Sequence, residues 1–171
     1  LMTITPPAIG VVHTQTSSYD WYFKPQEDHQ QPTVADNVTF LDKYDVLYLG
    51  SPTSKDIYLT FDAGYENGNT AKILDTLKEK NAPAAVFITG YFLDTNPDLI
   101  KRMRDEGHLV VNHTVHHKDL AAITSLDAFS KEVDGLSDKY KALIGEDMPK
   151  FLRPPSGTYS ELSLDMANQL G

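Results

Sequence analysis

Leu109-Val110-Val111-Asn112-His113-Thr114-Val115-His116-His117 sets an apolar, strand-like run directly against two histidines four residues apart. Positions i and i+4 lie one helical turn apart, so a helical reading lets both imidazoles converge and share a divalent metal. Alone, H-x-x-x-H is a weak signal, because two unrelated histidines on a surface helix give the same spacing. Its company strengthens it. Thr60-Phe61-Asp62 upstream and Arg153-Pro154-Pro155-Ser156-Gly157 downstream also close apolar strand-like runs. A carboxylate, a histidine pair and an arginine, each at a strand end, point to one active site.

Working outward, the punctuation is regular from Ile57 onward. Strands are expected at Ile57-Tyr58-Leu59-Thr60-Phe61, Ala84-Ala85-Val86-Phe87-Ile88-Thr89, Leu109-Val110-Val111 and Phe151-Leu152. Helices alternate with them. Thr70 to Lys80 presents Ile73, Leu74 and Leu77 on one face, and Asn96 should cap a helix with Pro97 at its first position and Gly107 at its end. A longer helix runs from Ser125 to Gly145, and another from Ser160 to Leu170. Four β-α units in sequence are the pattern of a parallel sheet or barrel, and near-continuous apolar strands fit burial on both faces. Chemistry in such folds collects at the C-terminal strand ends, where Asp62, His113 and Arg153 are all expected.

Residues 1–56 read differently. Prolines 6, 7, 25, 32 and 52 and the polar run Gln26 to Gln31 leave no persistent period. An extended segment over the core is expected, with one short helix near Phe40-Leu41-Asp42-Lys43-Tyr44. Tyr19, Trp21, Tyr22 and Phe23 form an aromatic group, read as packing before a sugar-stacking platform. The domain division is therefore 1–56 as an extension and 57–171 as the chemical unit. A complete β/α barrel takes about 250 residues, so the four units are either a small open sheet or the N-terminal part of a longer domain.

With 171 residues, 40% hydrophobic and 23% charged, the chain suits one globular domain. The net charge of -9 argues against nucleic acid, which needs a basic surface. No apolar run is long enough to span a bilayer. Leu1 to Gly10 lacks the basic start and apolar core of a secretory signal, and a leader upstream of Leu1 is left open. The absence of cysteine excludes disulfides and thiolate metal sites without deciding the compartment. His13, His29 and His108 stand outside any motif and read as structural.

The three motifs together resemble the polysaccharide deacetylase family, carbohydrate esterase family four, over residues 57–171. Thr60-Phe61-Asp62 is similar to its first motif, His113 to His117 to its second, and Arg153 to Gly157 to its third. The stretch Thr60 to Gly68, with Trp21, Asp42-Lys43-Tyr44 and Leu47 to Gly50, is similar to the sporulation branch that deacetylates peptidoglycan N-acetylmuramic acid on the way to δ-lactam.

The resemblance implies an α/β fold: the N-terminal part of an irregular (β/α) barrel, with the second half beyond Gly171 or on a second chain. It also implies metal-assisted amide hydrolysis of peptidoglycan outside the cytoplasm, with a divalent metal, zinc above magnesium. Asp62 would be the general base, and Arg153 its ion-pair partner. His113 and His117 would hold the metal. Pro155, Ser156 and Gly157 would bind substrate, with a backbone N–H near Ser156 facing the oxyanion. Two departures follow. Most of the family carries an aspartate ligand where this chain has Ala63, which leaves Asp62, His116 or water to complete the coordination. The histidine that serves as general acid is expected downstream of Gly171. The alternatives are a non-catalytic carbohydrate-binding relative and a deacetylase of chitin oligomers or acetylated xylan.

Overall fold

The computed structural model describes residues 16–34 and 38–171, so Pro6, Pro7, His13 and the segment read for a signal lie outside the described residues. The N-terminal segment forms three two-residue strands, β1 (Tyr19–Asp20), β2 (Phe23–Lys24) and β3 (Thr33–Val34). β2 and β3 pair as an antiparallel hairpin, with His29 exposed near its turn. Tyr19 of β1 lies opposite Tyr159, one of two residues of β7 (Thr158–Tyr159). The expected short helix is a 3₁₀ turn at Leu41–Lys43. Val38, Phe40 and Leu41 bury against Tyr159, with Tyr19 and Trp21 packed around them. Tyr19 meets Phe40 edge-on at 5.2 Å and stacks on Tyr159 at 5.9 Å, the offset geometries that aromatic quadrupoles favour. Tyr22 and Phe23 stay half-exposed, so packing explains only part of the aromatic group.

Three parallel strands form the central sheet, in the order β4 (Thr60–Ala63), β5 (Ala85–Ile88), β6 (Leu109–Asn112). Parallel neighbours need a crossover, and helices supply it. α1 (Thr70–Glu79) links β4 to β5, and α2 (Gly90–Thr95) with α3 (Pro97–Asp105) links β5 to β6. α4 (Leu126–Ile144) and α5 (Glu161–Leu170) follow. Ile88, Phe92, Ile100, Met103, Val110 and Leu136 meet between sheet and helices as one fully buried cluster. The hydroxyl of Ser125 caps α4 by accepting the Ala128 N–H, and Gly145 ends it at φ 84°, where a β-carbon would be strained. Ser160 caps α5 in a reciprocal box with Ser163.

Several expectations need correcting. β4 begins at Thr60, not Ile57, and takes in Asp62 and Ala63. Ile57 and Tyr58 are 85% and 72% exposed. The ladder starts where the Ala85 N–H reaches the Leu59 carbonyl, because Pro83 has no N–H to extend it backward and the Ala84 N–H goes to His108 Nδ1. β4 therefore alternates exposed and half-buried, while β5 and β6 match the expected two-sided burial. The fourth strand shrinks to a single parallel bridge between Asn112 and Leu152, since Pro149, Pro154 and Pro155 bracket it without donors. Asn96 stands at the N-cap of α3 with Pro97 following, as expected, and its carbonyl accepts the Ile100 N–H, but its side chain does not cap the helix: the amide donates back to the Phe92 carbonyl of α2. α2 itself was not foreseen; Thr89, read as the end of a strand, is its cap, accepting from the Phe92 N–H. His108 is buried and structural, as its lack of a motif suggested.

Candidate active site

Asp62, His113 and Arg153 project from the C-terminal ends of β4, β6 and the Leu152 bridge, and the sheet brings them together. Arg153 Nη1 donates to Asp62 Oδ1 at 2.7 Å, with the pair about one-third and one-half exposed. The guanidinium lies 4.0 Å above the Phe87 ring, a stacking that fixes its plane and leaves its edge to the carboxylate. The main chain of Arg153 is equally engaged: its N–H reaches the Asn112 carbonyl at 3.0 Å and its carbonyl meets His113 Nδ1 at 2.8 Å. A carbonyl only accepts, so Nδ1 carries the proton and Nε2 presents its lone pair. Metal-binding histidines are held this way. Burial pushes the His113 pKa below the usual 6.5, against the upward pull of the Arg153 carbonyl and of Asp62. The ring is thereby kept neutral, as a metal ligand must be.

His117 comes beside His113, ring centroids 4.9 Å apart and edge to face. The expected helical turn is absent. Residues 113–119 form a loop, and the reach comes from left-handed backbone at Thr114 (φ 69°) and His117 (φ 54°). Such conformations in non-glycine residues persist only where surroundings hold them. Here the Thr114 N–H bonds the Asn112 side chain, the His117 N–H bonds the Thr114 hydroxyl, and the Gly90 N–H is shared by the carbonyls of Thr114 and Val115. The helical period misled because these side-chain and backbone bonds compete with the i→i+4 ladder.

His116 turns away to the buried carboxylate of Glu132, which accepts both its backbone N–H and its Nδ1–H. Neither Glu132 nor the organising role of Asn112 was foreseen; inside α4 and at a strand end, both carry ordinary helix and strand patterning. Pro155 is buried, and Ser156 and Gly157 both take left-handed φ values, 57° and 69°. The Gly157 carbonyl accepts the Trp21 N–H, which ties this turn to the N-terminal segment. A groove of about 1150 Å³ runs past Tyr65, Tyr91, His116 and His117, and a second of about 380 Å³ includes Asp62 and Ala63. Gly64 and Tyr65 line both. Among the described residues, no group of three or more His, Cys, Asp or Glu stands close enough to hold a metal. Among the described residues, the imidazoles of His113 and His117, the first tautomerically fixed, are the donors brought side by side.

The sequence profile described as polysaccharide deacetylase matches residues 50–171. The chain is 47% identical over 152 residues to an uncharacterised 30.6 kDa protein of Geobacillus stearothermophilus, covering 88% of this chain and 57% of that protein. It is 42% identical over 153 residues to the peptidoglycan-N-acetylmuramic acid deacetylase PdaA of Bacillus subtilis, covering 89% and 58% respectively. The solved structure of Bacillus subtilis PdaA, described as a family 4 carbohydrate esterase, superposes with a TM-score of 0.86 and 40% identity, over 92% of this chain and 67% of that one. The chain thus spans less than two thirds of the curated relatives it matches. Over that span its parallel β/α units have the architecture of the solved relative, in agreement with the expected part of an irregular barrel.

Proposed function

The chain belongs to the polysaccharide deacetylase family, and from that premise we propose that it removes N-acetyl groups hydrolytically from a cell-wall glycan, with N-acetylmuramic acid of peptidoglycan as the sugar attacked. The observation that carries this reading is Arg153, whose side chain holds Asp62 and whose main chain holds His113, joining all three motifs at one point. A lectin-like groove needs no such arrangement. We assign the deacetylase unit to residues 57–171 and the extension to residues 1–56, of which Tyr19, Phe40 and Leu41 pack against Tyr159.

In the proposed reaction Asp62 takes the proton of the attacking water, its carboxylate oriented by Arg153 through a charge-assisted bond. His113 and His117 would hold a divalent ion, zinc by the preference of imidazole ligands. Bound there, such an ion would supply Lewis acidity toward the acetamide carbonyl and the water. Pro155, Ser156 and Gly157 line the acyl side, where a backbone N–H at Ser156 faces the developing oxyanion, a donor type contributing about 3–4 kcal/mol. The left-handed φ of Ser156 supports this role, since strained backbone collects where a group must be aimed. The substrate places the reaction outside the cytoplasm, and no helix among the described residues is long and apolar enough to cross a membrane.

The test is amine release from glycan containing N-acetylmuramic acid against N-acetylglucosamine oligomers, read by labelling the new amines. Release from the first alone is expected. Release from the oligomers alone would redirect the reading to chitin-type substrates, and none from either would sink it. Ala63, standing where most of the family has an aspartate, favours one second reading: a carbohydrate-binding relative without activity. Glycan binding with no amine release would mark that case.

A further inference from the structure

Glu132 is the most deeply buried charged group described, with 2% of its surface exposed, and it lies on α4, outside all three motifs. A buried carboxylate is costly unless its oxygens are met. Every partner found for it lies on one loop. Oε1 accepts from Lys118 Nζ at 2.7 Å and from His116 Nδ1 at 2.9 Å, and Oε2 accepts the His116 N–H at 3.0 Å. The Glu132 main-chain carbonyl accepts the Val115 N–H at 2.9 Å. One residue thus grips positions 115, 116 and 118, the flanks of His117, whose own backbone sits at φ 54°. Left-handed backbone is uncommon outside glycine and persists where the surroundings hold it; Thr114 holds His117 from within the stretch and Glu132 from outside it.

We propose that Glu132 is a positioning residue for the metal site, its carboxylate clamping the 115–118 loop so that His117 is aimed beside His113. It touches neither ion nor substrate and acts through the loop alone. The inference rests on the reading of His113 and His117 as metal ligands.

The experiment measures zinc affinity by competition with a chromogenic chelator for the wild-type protein, Glu132→Ala and Glu132→Gln, with metal-free melting curves beside each. Residues that support metal ligands typically contribute about 10- to 100-fold in affinity. A loss in that range is expected for Glu132→Ala, and a smaller one for Glu132→Gln, which keeps one oxygen acceptor for the His116 N–H. Lowered melting temperatures with wild-type zinc affinity would reduce Glu132 to a structural residue and overturn the proposal. If Glu132→Ala does not fold, Glu132→Gln decides alone: wild-type affinity in that folded variant overturns it. Failure of the wild-type protein to bind zinc would sink the metal reading instead, and this inference with it, so the two failures are told apart by the wild-type arm.

Discussion

Arg153 and His113 are joined through the Arg153 main chain, whose carbonyl accepts the His113 Nδ1–H at 2.8 Å. The side chain of the same residue serves Asp62. Substitution at 153 therefore separates the two duties. Arg153→Ala should leave zinc affinity near that of the wild-type protein while turnover falls about 10- to 100-fold, the value of a hydrogen bond to a charged group. Parallel titration calorimetry and amine-release assays check this; a collapse of zinc binding would contradict the division.

Asp62→Asn keeps the shape of the side chain and loses the basic oxygen. Fold and metal binding should survive, and amine release should fall by about 10²–10⁴, the range for removing a general base. Near wild-type release by this variant would remove Asp62 from the mechanism.

The parallel strands and most helices were legible because apolar runs and caps such as Ser125 and Ser160 are local signals. The convergence of Asp62, His113 and Arg153 was legible too, since strand-end placement follows from the β-α order. What escaped was non-local. Pro83 shortens β4 through a missing donor in the neighbouring strand, which no feature of Ile57 or Tyr58 announces. The His113 to His117 spacing fits a helix, yet Asn112, Gly90 and Glu132 impose a loop from three separate elements. Glu132 sits at an ordinary position of an amphipathic helix, and only tertiary contact shows what it holds.

Gly90 opens α2 against the same loop. A β-carbon there would stand 2.7 Å from the Val115 carbonyl oxygen and 2.9 Å from its Cγ1. Gly90→Ala must therefore push the loop or the helix aside, at about 1–3 kcal/mol for an overpacked site. Chemical denaturation should register that loss together with weakened zinc binding. Full stability with full affinity would mean that the loop yields freely.

Acid should act through Glu132. Burial alone would raise its pKa, but the bonds from Lys118 and from the amide and ring of His116 outweigh it and hold the carboxyl below the usual 4.5. With the folded value depressed, its contribution is complete above the unfolded pKa and is lost as pH falls through the folded one. Urea midpoints measured below about pH 4.5 should fall less steeply for Glu132→Gln than for the wild-type protein. Identical slopes would assign the acid sensitivity elsewhere.

The backbone that bends at Thr114 and His117 is set by bonds to the protein's own atoms. The entropy of ordering this loop is therefore spent when the chain folds, before any ion arrives. A zinc finger stands at the opposite pole, with coordination and folding as one event. For this chain, stripping the ion with a chelator should leave near-ultraviolet dichroism almost unmoved and lower the melting temperature only by the linkage of the lost ion to the folded state, and readdition should restore binding without a slow phase. The site would behave as a socket, emptied and refilled as the supply of ions rises and falls, on a scaffold whose shape does not depend on its occupancy.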